Sequence, residues 1–120
     1  MKYNVKDLTN EEKAKLLIGE NDWNFHTLGG KLYKMTMSDG PIGLRKCGMD
    51  ENNKFYEIPS IAYPSGQVLS QTWNVELAKI MGNAIANDCI ESNVDVILGP
   101  AVNIKRDPTC GRNFEYFSED

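Results

Sequence analysis

Ser92-Asn93-Val94-Asp95-Val96-Ile97-Leu98-Gly99-Pro100 is the stretch that decides the architecture. Val94 to Leu98 is a short, β-branched apolar run, and Gly99-Pro100 stops it as a turn, so it reads as a buried strand. The clearest helix of the chain lies directly before it. Asn74 caps that helix, with Glu76 in its positive first turn. Leu77, Ala78, Met81, Ala84, Ile85 and Cys89 recur at three- and four-residue spacing on one face and read as core packing. Helix, tight Ser92-Asn93 turn and buried strand form the second half of a β-α-β unit, and such units pair their strands in parallel. The sequence therefore predicts an α/β fold.

Further toward the amino terminus, Tyr33 to Ser38 alternates as a short strand and is broken by Asp39-Gly40-Pro41, then Ile42-Gly43-Leu44-Arg45. Asp39 is thereby expected at the strand's carboxyl end and Arg45 a few residues into the following loop. Cys47 to Ile58 is polar and reads as one long loop. Ile61 to Pro64 reads as a brief extended segment before Ser65-Gly66 and a helical turn ending near Trp73. The first helix starts at Thr9, with Glu12 completing a capping box. Leu16, Leu17 and the Ala14–Ile18 pair give it an apolar side, and Gly19 suits a left-handed stop.

Beyond Pro100 the chain is irregular and polar, carrying Arg106, Arg112 and Glu115. Ser118-Glu119-Asp120 reads as a helix start, with Ser118 as the cap.

A length of 120 residues, with 41% hydrophobic and 25% charged residues, is ordinary for one globular domain, residues 1–120, with no repeat or linker. A net charge of −4 provides no basic face for a phosphate backbone, which excludes nucleic acid as an expected partner. No apolar run approaches the roughly 18 residues of a membrane span. The start, Met1-Lys2-Tyr3-Asn4, lacks a signal-peptide core, so a cytoplasmic location with no membrane partner is expected. Cys47, Cys89 and Cys110 show no C-x-x-C spacing and read as reduced thiols, with Cys89 on a buried helix face.

Asp39 and Arg45 on one loop, and Arg112 on another, stand at the carboxyl ends of two predicted strands, which converge on one mouth in a parallel sheet or barrel. A carboxylate that only accepts, beside guanidinium forks that only donate, suits a ligand dense in hydroxyls. An ion pair tying the loops together fits the same spacing. Glu115 with Glu119 or Asp120 could suggest the two carboxyls of a glycosidase, roughly 5–5.5 Å apart in a retaining enzyme. The acids at 119 and 120 are better read as favouring a helix terminus, and Glu115 as bracing its loop by bonding backbone or an arginine. The single histidine, His26, has no partner in a recognisable spacing and reads as structural. No His/Cys cluster suggests a metal, no nucleotide or hydrolase motif is present, and no cofactor is expected. Gly29-Gly30-Lys31 precedes a strand rather than following one, and reads as a plain turn.

Met37-Ser38-Asp39-Gly40-Pro41-Ile42-Gly43-Leu44-Arg45, and the run from Leu98-Gly99-Pro100 through Gly111-Arg112-Asn113-Phe114-Glu115-Tyr116-Phe117-Ser118-Glu119-Asp120, strongly resemble glycoside hydrolase family 3. The resemblance extends from Leu8-Thr9 to the last residue. It implies the amino-terminal portion of a (β/α)8 TIM-type barrel, incomplete in this chain, from a family that hydrolyses β-glucosides and related β-glycosides with retention. Asp39 then resembles the acid that accepts from the 4- and 6-hydroxyls of the sugar being cleaved, and Arg45 and Arg112 match basic residues of the same subsite. Asp107 and Thr109 depart from the family pattern, standing where Ser and Leu are common.

The family's nucleophile, in a Ser-Asp-Trp-like motif, its Lys-His pair and its acid/base glutamate have no counterpart here, so no catalytic residue is assigned. A barrel of this type needs about 250 residues, so these would supply about three early strands. The remainder would be needed for a stable fold, since an unclosed parallel sheet leaves an edge prone to aggregation. The expected substrate is a small β-glycoside or oligosaccharide, and the chain alone is expected to be inactive. A non-catalytic carbohydrate-binding or interaction module is the alternative.

Overall fold

The computed structural model describes residues 4–120. Residues 1–3, part of the stretch read as lacking a signal-peptide core, lie outside the described residues. The helices are α1 (Asn10–Lys15), α2 (Gly66–Gln71) and α3 (Val75–Glu91), and the strands are β1 (Met37–Asp39), β2 (Cys47–Met49), β3 (Phe55–Glu57) and β4 (Val96–Leu98). Short 3-10 turns cover Val5–Asp7 and Asn113–Glu115.

β1 and β4 pair in parallel, with Met37 opposite Val96, Ser38 opposite Ile97 and Asp39 opposite Leu98. This is the pairing that the helix–turn–strand pattern requires. Both strands are shorter than their apolar runs. Tyr33 to Met35 and Val94 lie outside the ladder, because a parallel strand extends only as far as its partner. Each strand ends in a residue followed by Gly-Pro, and the two turns pack together: a Cβ at Gly99 would lie 3.1 Å from the Gly40 carbonyl oxygen. Asp95 fastens the entry to the sheet, its carboxylate accepting from the Thr36 amide at 2.8 Å.

The helix starts are local and follow the sequence. Thr9 Oγ1 accepts from the Glu12 amide while Glu12 Oε2 accepts from the Thr9 amide, a closed capping box. Ser65 Oγ accepts from Val68, and Asn74 Oδ1 accepts from both Glu76 and Leu77, satisfying donors that have no partner within their helix.

Other expectations are corrected. α1 ends at Lys15, and Leu16 closes it in right-handed geometry, so Gly19 is no left-handed stop. Gly19 is required instead by close approach, because a Cβ there would meet the Asn21 carbonyl oxygen at 2.6 Å. Leu17 and Ile18 are exposed, so the apolar side of α1 is not covered by the described residues.

Cys47 to Ile58 is an antiparallel hairpin rather than a loop. Asp50 Oδ1 accepts from the amides of Asn52 and Lys54, and Asn53 takes the positive φ of the turn. Ile61 to Pro64 is extended but joins no sheet. Its tie is Tyr63, whose amide donates to the Ile42 carbonyl at 2.8 Å and whose hydroxyl donates to Asp88 on α3 at 2.8 Å. Pro59 and Pro64 bracket this segment and bring no donor to a ladder. At the last residues Ser118 Oγ accepts from the Asp120 amide at 3.1 Å, the bond that a helix-capping serine makes.

Leu44, Cys89 and Val94 form the buried cluster, with Ile85 and Ile97 packed on it. The stripe on α3 is thus buried at its carboxyl end only. Toward the amino end it borders an apolar groove of about 300 Å³, shared with Leu69, Ile97 and Phe117, and Leu77 is exposed. The radius of gyration, 17.5 Å, exceeds the ~14 Å of a compact chain this long, consistent with so small a core.

Candidate functional site

A cleft of about 660 Å³ opens beyond the carboxyl ends of β1 and β4. Asp39, Arg45, Arg112 and Glu115 line it, with Ile61 and Phe114 as apolar wall. The structure therefore brings the four residues singled out from the sequence to one place.

Asp39 is the last residue of β1 and half-buried. Among the described residues its carboxylate makes no hydrogen bond, so its acceptor positions face the cleft unused. Its backbone carbonyl accepts from the Arg45 amide at 2.8 Å. Ser38, only 1% exposed, donates its hydroxyl to the Arg45 carbonyl at 2.7 Å. The two bonds return the loop onto its own strand and fix the Arg45 backbone on both sides. Gly43 makes the return possible, with φ of 125° and no room for a side chain.

The Arg45 side chain meets a partner that the sequence reading did not foresee. Its Nε and Nη2 donate to one oxygen of Glu57, at 3.0 and 2.6 Å. The Glu57 carboxylate raises the Arg45 guanidinium above its ordinary value, with a smaller contribution from Asp39. Glu57 was hidden because its segment reads as a loop. The available signal was the turn chemistry of Asp50 to Asn53 followed by Phe55-Tyr56.

Arg112 and Glu115 pair across the 3-10 turn, Nε of the arginine donating to Oε1 of the glutamate. Glu115 is 7% exposed while the Arg112 side chain is 70% exposed, so the carboxylate anchors one edge of the fork and leaves the Nη groups facing outward. The bond to Glu115 raises the Arg112 guanidinium. α2 holds this segment: Gln67 Nε2 donates to the Asn113 carbonyl at 3.0 Å, and the Phe117 ring lies over Gly66.

Asp107 and Thr109, on the loop before Arg112, are tied to each other. Asp107 Oδ1 accepts from the Thr109 amide at 2.8 Å and hydroxyl at 2.7 Å, which holds its carboxyl below the ordinary aspartate value. Asn113 Nδ2 closes the loop on the Asp107 carbonyl at 2.8 Å.

His26, Glu119 and Asp120 do not line the cleft. Among the described residues no group of three or more His, Cys, Asp or Glu side chains is placed to hold a metal, and no helix is long and apolar enough to cross a membrane. The arrangement offers one unengaged carboxylate and two anchored guanidinium groups.

A sequence profile described as "Glycosyl hydrolase family 3 N terminal domain" matches residues 52–120. An exo-α-(1→6)-L-arabinopyranosidase of Bifidobacterium longum is 45% identical over 97% of this chain, and the thermostable β-glucosidase B of Acetivibrio thermocellus is 43% identical over 97%. The chain spans 16% of the length of each. Among solved structures, a β-glucosidase from Kluyveromyces marxianus in complex with glucose superposes with a TM-score of 0.82 at 34% identity, covering 96% of this chain and 13% of that one. β-Glucosidase 3B of Thermotoga neapolitana in complex with α-D-glucose gives 0.78 at 37% identity, covering 96% and 18%.

Proposed function

This chain belongs to glycosyl hydrolase family 3, and from that footing we propose that it forms the amino-terminal part of a (β/α)8 barrel in a retaining β-glucosidase-type enzyme. In this reading Asp39, Arg45 and Arg112 bind the terminal non-reducing sugar of a β-glycoside in the subsite where cleavage occurs. The observation that carries the reading is their convergence, from distant points in the sequence, on one cleft at the carboxyl ends of two parallel strands. A parallel barrel places its chemistry at that face.

The division of labour follows from hydrogen-bond inventory. Asp39 accepts from sugar hydroxyls, and the arginines donate to hydroxyl oxygens, so each hydroxyl can be read in both directions. Glu115, committed to Arg112, orients that guanidinium instead of meeting the ligand itself. The cleft's acids are Asp39 and Glu115, and only Asp39 is unengaged, too few for the two working carboxyls of a glycosidase. The nucleophile and the acid/base are therefore assigned to other parts of the enzyme. The small core and open shape support the view that these residues pack within a larger barrel.

The test is kinetic. In the enzyme carrying these residues, Asp39→Asn is expected to lower kcat/KM for an aryl β-D-glucoside roughly ten- to a hundredfold, the loss associated with hydrogen bonds to a charged group. The 120 residues alone are expected to give no turnover, and robust hydrolysis by them would overturn the assignment of catalysis elsewhere. Binding of glucose that is lost on Asp39→Asn, in a protein carrying these residues that has no hydrolytic activity, would favour the carbohydrate-binding module. An aryl α-L-arabinopyranoside belongs in the same assay, because the Bifidobacterium relative is named for a sugar that lacks the 6-hydroxymethyl group.

A further inference from the structure

We propose that Glu57 is a positioning residue that pre-organises the Arg45 guanidinium for the ligand of the cleft. The inference rests on the sugar-binding reading of Arg45 given above. Glu57 does not itself line the cleft, so it acts through the arginine.

A guanidinium carries five N–H donors in a planar fork. Nε and one hydrogen of Nη2 are committed to a single Glu57 oxygen, and the two converging bonds hold that oxygen in the guanidinium plane and restrict the rotation of the fork. Nη1 and the other Nη2 hydrogen remain for a ligand. The side chain thus completes what the backbone begins, since the Arg45 amide and carbonyl are already held by Asp39 and Ser38. A long, flexible arginine would otherwise lose its rotamer freedom only on binding.

The pair is solvent-accessible, 64% for Arg45 and 47% for Glu57, and exposed ion pairs contribute little to stability. Its effect is orientation. The β2–β3 hairpin delivers it: Glu57 faces Cys47 in the register, and the Ile58 amide donates to the Lys46 carbonyl at 3.0 Å, bringing Glu57 back beside Arg45 twelve residues after it. The hairpin's own residues are mostly exposed, so burial does not account for its presence.

The experiment is a double-mutant cycle in the enzyme carrying these residues, read as KM and kcat on an aryl β-D-glucoside. Glu57→Ala is expected to raise KM about tenfold with kcat within about twofold, the pattern of a contact made equally in ground and transition states. Glu57→Gln, which keeps an oxygen acceptor of the same reach, is expected to recover most of the loss. In an Arg45→Ala background Glu57→Ala is expected to add nothing. A Glu57→Ala enzyme with unchanged KM, or an effect that persists in full without Arg45, would overturn the inference. Should Glu57→Ala fail to fold, Glu57→Thr, which suits a strand but is too short to reach the guanidinium, is read in the same cycle, where an effect abolished by Arg45→Ala supports the role and an absent or persistent one refutes it. An Asp39→Asn enzyme as active as the unsubstituted one is a separate outcome, which refutes the sugar-binding reading itself and this inference with it.

Discussion

The Arg45 amide donates to the Asp39 carbonyl at 2.8 Å, so two charged residues of the cleft are referenced to one backbone hydrogen bond. Gly43 is the residue that lets the chain turn back to make it. Its φ of 125° is strained for any side chain, and a Cβ there would stand 2.2 Å from the Ile61 carbonyl oxygen. Gly43→Ala is therefore expected to destabilise the protein by about 1–3 kcal/mol and to raise KM by displacing Arg45. Gly111→Ala is the control, since nothing lies within 4 Å of a Cβ there and its φ is not positive. Thermal melting and steady-state kinetics of both variants check the contrast.

Asn74 satisfies two amides at the head of α3, those of Glu76 and Leu77, at 3.0 and 3.2 Å. Asn74→Ala is expected to cost about 1 kcal/mol, and Asn74→Asp to retain the cap. Amide hydrogen exchange at Glu76 and Leu77 should accelerate in the first variant and not in the second. Uniform acceleration along the whole of α3 would show that the cap is not a local device.

The Glu12 carboxylate is stabilised in its charged form, first by the hydrogen bond from Lys31 and next by the Thr9 amide, which places its acid titration below the ordinary glutamate value. A group depressed in the folded state contributes stability above its unfolded value, about 4.3, and that contribution is lost as pH falls through the folded value. The Thr9 amide shift in NMR should follow Glu12 with a midpoint below about 4.3. Lys31→Ala should move that midpoint upward.

The three thiols differ in access: Cys110 is exposed, Cys47 intermediate and Cys89 buried in the core cluster. Burial raises the Cys89 thiol, and the neighbouring Asp88 charge adds to this, leaving little thiolate to react. Iodoacetamide should modify Cys110 first and Cys89 last, with Cys89 slower by about an order of magnitude or more until the protein unfolds. Mass spectrometry of a time course reads the order directly.

What could be read in the sequence was local or governed by chain handedness. Thr9, Ser65 and Asn74 bond two or three residues ahead, within the reach of a spacing rule. The parallel pairing of β1 with β4 follows from a helix feeding an apolar strand, but that strand is not buried as its composition suggested: Val96 and Ile97 are half-buried and Leu98 is exposed among the described residues. The hairpin escaped because both its faces are largely exposed, which erases the alternation that marks a half-buried strand. With it went Glu57, and therefore the real environment of Arg45. The end of α1 was misjudged because Leu17 and Ile18 continue an apolar pattern that the described residues do not bury. Asp39, Arg45, Arg112 and Glu115 were found by residue type and by a family resemblance. Their convergence rests on long-range packing, such as Gln67 on Asn113, that spacing does not encode.

The paired Gly-Pro turns that close β1 and β4 have a consequence for how this cleft can change. Pro41 and Pro100 supply no amide to extend the ladder, so the two strands share an end stop at Asp39 and Leu98. The floor is set there, independently of whatever length the walls acquire. Residues 101–111 lie beyond that stop, so Asp39 takes its height from the ladder and not from them. A cleft built this way can have its rim changed by editing loops while the carboxylate at its floor keeps its place.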